Sequence, residues 1–144
     1  MAGDTGRPDL ARPNVKMLGK LPHHDLARYI VSSNCMLFMG VFDICPNAVV
    51  EALVPGTPVI CCNGNGAEEL VGMGFGEVLR VDDPINLQFY NSPLFRAPTF
   101  SNEKVIAALD RWSGCEQKKP AEKLFISHTA KKYIEVFERF ERKG

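Results

Sequence analysis

Asp43 and Glu51 are the residues of this sequence whose type and spacing invite chemistry. Between them the run Pro46-Asn47-Ala48-Val49-Val50-Glu51-Ala52-Leu53 reads as a helix that stops at Pro55-Gly56. Its proline stands at the first helical position, where a missing N–H costs nothing. Asp43 then lies just before the helix, and Glu51 lies one turn past Asn47. The N–H groups of Asn47, Ala48 and Val49 lack helical acceptors at such a start, and the helix dipole is positive there, so phosphate is favoured. Glu51 is placed to accept hydrogen bonds from a sugar diol. Spacing alone is better served by a plainer reading, an aspartate that precedes a helix and a solvated glutamate on it.

Elements that alternate between strand and helix would hold the pair in place. Residues 14–19 alternate apolar and polar up to Gly19 and predict a short strand. Residues 24–31 place Leu26, Tyr29 and Ile30 at helical spacing, which predicts a short helix with one buried face. Residues 35–39 are apolar without alternation, the pattern of a parallel strand covered on both faces. Residues 57–62 predict a second buried strand, residues 67–73 a helix, and residues 77–81 a third strand after the turn at Gly74-Phe75-Gly76. Strands and helices at this spacing argue for a parallel sheet in an open α/β fold. In such a sheet the ligand crevice lies at the carboxyl ends of the strands, where Asp43 follows its strand.

Residues 82–100 break the rhythm with Pro84, Pro93 and Pro98 and with Phe89, Tyr90, Phe95 and Phe100, as an ordered functional loop or an insertion would. Ser101 reads as the cap of a helix to about Trp112, with Glu103 and Lys104 in its first turn. A basic linker, Lys118-Lys119-Pro120, separates it from a last helix over residues 129–142. There Tyr133, Ile134, Phe137 and Phe140 form an apolar stripe that wants a partner surface.

Composition limits the function. The chain has 144 residues, with 17 basic and 17 acidic groups and no net charge, which suits one globular domain and excludes nucleic-acid binding through bulk attraction. Residues 1–13 read as a flexible leader without an apolar core, so they are neither a signal peptide nor an anchor. The longest apolar stretch, residues 35–42, is far short of the roughly 20 residues that span a bilayer, so no transmembrane segment is expected. The five cysteines are odd in number and lack C-x-x-C spacing, which predicts reduced thiols in a cytoplasmic protein. Cys61-Cys62 read as packing residues. His23-His24 lack a third ligand at suitable spacing, so no metal is expected.

The stretch from Asp43 to Glu51 resembles the E-x7-E signature of the glycosyl transferases group 1, or glycosyltransferase family 4, which have the two-domain GT-B architecture. Asn14-Val15 to Gly19 is similar to that family's strand ending in Leu-Gly, and Leu21-Pro22-His23-His24-Asp25-Leu26 to the helix that follows. Glu51-Ala52-Leu53 with Pro55-Gly56-Thr57-Pro58-Val59-Ile60 resembles its Glu-Ala-Met to Pro-Val-Ile run. Asn65-Gly66-Ala67-Glu68-Glu69 resembles its Gly-Gly-x-x-Glu loop, matching at Gly66 and Glu69, and residues 133–137 are similar to its closing helix. The first acid is aspartate here, Ile44-Cys45 replace a Gly-aromatic pair, and Gly40 stands where serine is frequent.

The resemblance implies a Rossmann-like parallel sheet flanked by helices over residues 14–144, the C-terminal half of a GT-B fold without its first strand-helix elements. It implies a donor-binding domain of a retaining glycosyltransferase that moves a sugar from a nucleotide-diphosphate sugar to an acceptor, with no metal and no other cofactor. Asp43 would face the donor sugar and Glu51 the ribose hydroxyls. Ile44, Cys45 and Pro46 would line the donor site, the amides of Asn47 and Ala48 would meet the diphosphate, and Lys20 and Leu21 would line the base pocket. Turnover would need an acceptor domain or partner chain docked on the C-terminal helix, and any membrane association would come through that partner. The alternatives are a non-catalytic nucleotide- or sugar-binding module and a protein-interaction module built on the same fold.

Overall fold

Val59, Ile60, Cys61 and Cys62 are all fully buried, and this run forms the central strand of the domain. The computed structural model describes residues 12–41, 43–83, 99–114 and 119–141. The central strand, β2 (Val59–Cys62), pairs in parallel with β1 (Met36–Phe38) on one side and β3 (Gly76–Leu79) on the other, giving a three-stranded sheet in the order β1-β2-β3. Parallel neighbours need crossover connections. Here these are α2 (Asn47–Leu53) and α3 (Gly66–Val71), preceded by α1 (His23–Ser32).

Alternation along β2 divides the core. Val59 and Cys61 meet Val49, Ala52 and Leu53 of α2 and Ala67 and Val71 of α3 on one face. On the other face Ile60 joins Leu79 and Ala108, the last from α4 (Asn102–Ser113), with Leu109 and Trp112 packed beside them. Helices thus cover both faces, as a parallel sheet requires. Ser101 caps α4 as expected, its hydroxyl accepting from the Lys104 amide at 3.3 Å. A short 3-10 turn (Glu122–Leu124) leads into α5 (Ile126–Glu141), which starts three residues before the position its stripe suggests.

Several expectations need correction. Residues 14–19 are not a strand: the Val15 amide bonds back to Arg12 O at 2.9 Å, closing a turn through one isolated bridge, and Lys16 Nζ lies 6.0 Å from the Tyr29 ring centroid. Alternation carries a strand pattern, but a strand needs a run of paired residues, and the pairing here stays at isolated bridges. The strand over residues 35–39 is not covered on both faces, since Leu37 of β1 is 43% exposed. Among the described residues the sheet continues from β1 only toward β2. No residue of α1 is fully buried: the helix lies against α2, with Ile30 packed at the margin of the core. Pro46 is the N-cap of α2, with Asn47 the first helical residue. The aromatic segment's residues 84–98 and residues 1–11 lie outside the described residues, as do the side chains of Phe137 and Phe140.

One long-range cluster fastens α4 to the sheet. Arg111 forks its guanidinium over the two oxygens of Glu77 on β3, with Nε at 3.2 Å, while Trp112 Nε1 donates to the same carboxylate at 3.0 Å. The bond from Arg111 holds the Glu77 carboxyl below its ordinary range, against desolvation and with help from Trp112. A lowered folded pKa contributes stability above the unfolded value and loses it as the carboxylate is protonated. Glu77→Gln is therefore expected to destabilise the domain at neutral pH. The gap to the parent should close as pH falls from about 4.3 through the folded value. Denaturation curves at neutral and acid pH check this, and a gap unchanged in acid would deny Glu77 its paired, ionised state.

Candidate functional site

The carboxyl ends of all three strands meet at one short loop, residues 63–66, and its side chains hold the neighbouring segments in place. Asn63 Oδ1 accepts from the Val81 amide at 2.8 Å, just past β3. Glu68 Oε2 accepts from the Gly64 amide at 2.8 Å. Asn65 caps α3, its Oδ1 accepting from the Ala67 amide at 2.8 Å. Its Nδ2 donates to Gly40 O at 2.6 Å, just past β1, and lies 3.2 Å from Cys62 O at the end of β2.

Asp43 sits against this loop. Its backbone carbonyl accepts from the Gly66 amide at 2.8 Å, a donor left over at the start of α3. Its side chain turns back on its own segment, Oδ1 accepting from the Cys45 amide at 3.1 Å, the turn that Asp readily makes with a residue two positions on. The contact between the loops is close. A β-carbon on Gly66 would stand 1.6 Å from Ile44 O, so only glycine lets α3 approach here.

Glu51 and Ala48 face elsewhere. With Val49, Ala52 and Leu53 buried, helical spacing turns Ala48 and Glu51 outward, where they wall a groove of about 610 Å³. Leu26 and Tyr29 of α1 and Met36 and Leu37 of β1 complete most of its wall. The groove is largely apolar, with one carboxylate set among aliphatic and aromatic surfaces, and its size suits a small organic ligand. Among the described residues no group of three or more His, Cys, Asp or Glu side chains is placed to hold a metal ion.

The remaining expected site residues fall in distinct places. Ile44 is 94% exposed, Cys45 and Lys20 are exposed, and Pro46 is buried beneath them. Leu21 lines a neighbouring hollow that shares Tyr29 with the groove. The Val49 amide, expected to be free at the helix start, instead bonds Pro46 O at 3.0 Å in a tight first turn. The groove therefore brings Ala48 and Glu51 together and leaves Asp43, Ile44 and Cys45 at the strand ends. Sequence reasoning passed over Asn65, whose only local signal is the preference of Asn for a helix cap before Gly66. It also read Cys61 and Cys62 as packing residues, and both are buried. Burial pushes the Cys61 thiol up to about 12, with Cys62 and Glu68 adding to it, so it is no nucleophile.

Comparison with known proteins adds one finding. A family model described as Glycosyl transferases group 1 matches residues 10–88, more than half of the chain, from before α1 to beyond β3. Neither the curated proteins nor the solved structures include a match. Among the described residues no helix is long and apolar enough to cross a membrane.

Proposed function

The chain belongs to the family of group 1 glycosyl transferases, and on that premise we propose that its domain binds a nucleotide-diphosphate sugar for transfer with retention to an acceptor. The observation that carries the reading is Glu51, which pairs a carboxylate for sugar hydroxyls with an apolar groove able to receive a ring. The amides of Asn47 and Ala48 make no hydrogen bond among the described residues and would meet the diphosphate. Lys20 and Leu21 lie before α1, on the approach to the hollow that adjoins the groove, and would meet the base.

On this reading the domain is the donor half of a GT-B enzyme of glycosyltransferase family 4, working in the cytoplasm without a metal. An acceptor domain or partner chain would close over it, since transfer needs water excluded and the acceptor held in line. Exposed Tyr133 and Ile134 on α5 suit such docking. A second reading, a binding module without turnover, is favoured by one observation: the Asp43 carboxylate is already engaged by the Cys45 amide.

Titration of the chain with nucleoside diphosphates and their sugar conjugates by calorimetry tests the proposal. Binding is expected, and Glu51→Ala should weaken it by about tenfold or more, the loss of a charged hydrogen-bond acceptor. No binding by a folded chain, or binding indifferent to Glu51, would overturn it.

A further inference from the structure

We infer that Asn65 is a positioning residue of the donor site, whose carboxamide clamps the Asp43-bearing segment onto the start of α3; its bearing on a ligand rests on the reading above. A carboxamide offers two N–H donors and one acceptor oxygen. Here the donors are directed at Gly40 O (2.6 Å) and Cys62 O (3.2 Å), which follow or end two neighbouring strands, while the oxygen caps α3 at Ala67 N (2.8 Å). Three elements thus meet on one side chain.

The clamp is reinforced from both sides. Gly40 O accepts a second bond from Cys62 Sγ at 3.6 Å, and three residues later Asp43 O accepts from the Gly66 amide at 2.8 Å. The segment from Gly40 to Asp43 is therefore pinned at each end to residues that flank or include Asn65. The Asp43 side chain, bonded to Cys45 within its own turn, rides on the segment that those two pins hold. A helix cap alone would be served by Asp, Ser or Thr. What asparagine adds is the pair of donors, and those are the bonds that reach the strand ends.

Asn65→Asp separates the two roles, since it keeps the shape and the cap acceptor but turns an acceptor toward the Gly40 and Cys62 carbonyls. Asn65→Ser keeps a cap and lacks the reach, and it serves if the aspartate variant does not fold. In the full chain, amide exchange at Gly66 and Cys45 followed by NMR is expected to rise about tenfold in either variant, the loss of roughly one hydrogen bond's protection. The Gly72 amide, bonded to Glu68 O within α3, should keep its rate. Unchanged exchange at Gly66 and Cys45 would overturn the clamp.

The ligand arm uses uridine diphosphate against uridine-diphosphate glucose, with guanosine diphosphate against guanosine-diphosphate mannose in parallel. If Asn65 aims Asp43 at the sugar, the variants lose the extra affinity of the sugar conjugate and keep that of the bare diphosphate. A conjugate advantage that survives in a variant whose loop exchanges faster would overturn the positioning role. A parent chain that binds none of the four would overturn the donor-site reading and Asn65's part in it, while the exchange comparison still decides the clamp.

Discussion

Gly66→Ala is expected to pull the Asp43 segment off α3 and remove the extra affinity of a sugar nucleotide over its bare diphosphate. The added methyl would stand 1.6 Å from Ile44 O and 2.4 Å from Ile44 C, and both partners are backbone, so no rotamer change relieves the clash. Either the first turn of α3 or residues 43–45 must shift by more than an ångström. Any such shift breaks the 2.8 Å bond from the Gly66 amide to Asp43 O. Overpacking of this kind costs about 1–3 kcal/mol, and the lost bond adds about 1 kcal/mol. Domains of this kind hold roughly 5–15 kcal/mol in all, so the variant should fold with a lowered midpoint. Gly114→Ala is the matched control, since a β-carbon there meets nothing within 4 Å and the residue is not at positive φ. Denaturant titration of both variants, with calorimetry against the same sugar nucleotides and their bare diphosphates, measures the two effects. Parent-like stability and binding in Gly66→Ala would mean that the loop does not rest on α3.

The dependence on Gly66 shows where the sequence could and could not be read. Local patterns carried well. A buried apolar run bounded by proline and glycine marks β2, and helical spacing that buries Val49, Ala52 and Leu53 is enough to turn Glu51 outward. Asp43's turn onto the Cys45 amide was within reach too, because it spans two residues. Contacts between distant residues were not legible. Asn65 meets Gly40 across 25 positions and Arg111 meets Glu77 across 34, and nothing beside any of them in sequence marks the pairing. The strand expected over residues 14–19 failed for a related reason, since alternation says which faces differ but not whether a neighbour lies alongside. The expected crevice divides in the same way. Glu51 follows from helix periodicity, whereas its groove needs α1 and β1 brought together in space.

Ile60→Ala should be the most destabilising of the core truncations on the α4 face. Ile60 is fully buried in the central strand, between Leu37 and Glu77 in register, and with Leu79 and Ala108 it fills the space under α4. Ala108 is too small to close the gap that the lost methyl and ethyl branches leave, and β2 cannot move toward it without breaking two parallel ladders. The cost expected is about 2–5 kcal/mol for alanine and about 0.5–1.5 kcal/mol for valine. Ile106→Ala on the outer side of α4, where the residue is 57% exposed, should stay within about 0.5 kcal/mol. Denaturant midpoints for the three variants order them. If Ile60→Ala costs no more than Ile106→Ala, α4 does not pack on this sheet. If the graded order holds while sugar-nucleotide affinity in the folded fraction is unchanged, the layer under α4 supplies stability without shaping recognition, and the two can be altered separately.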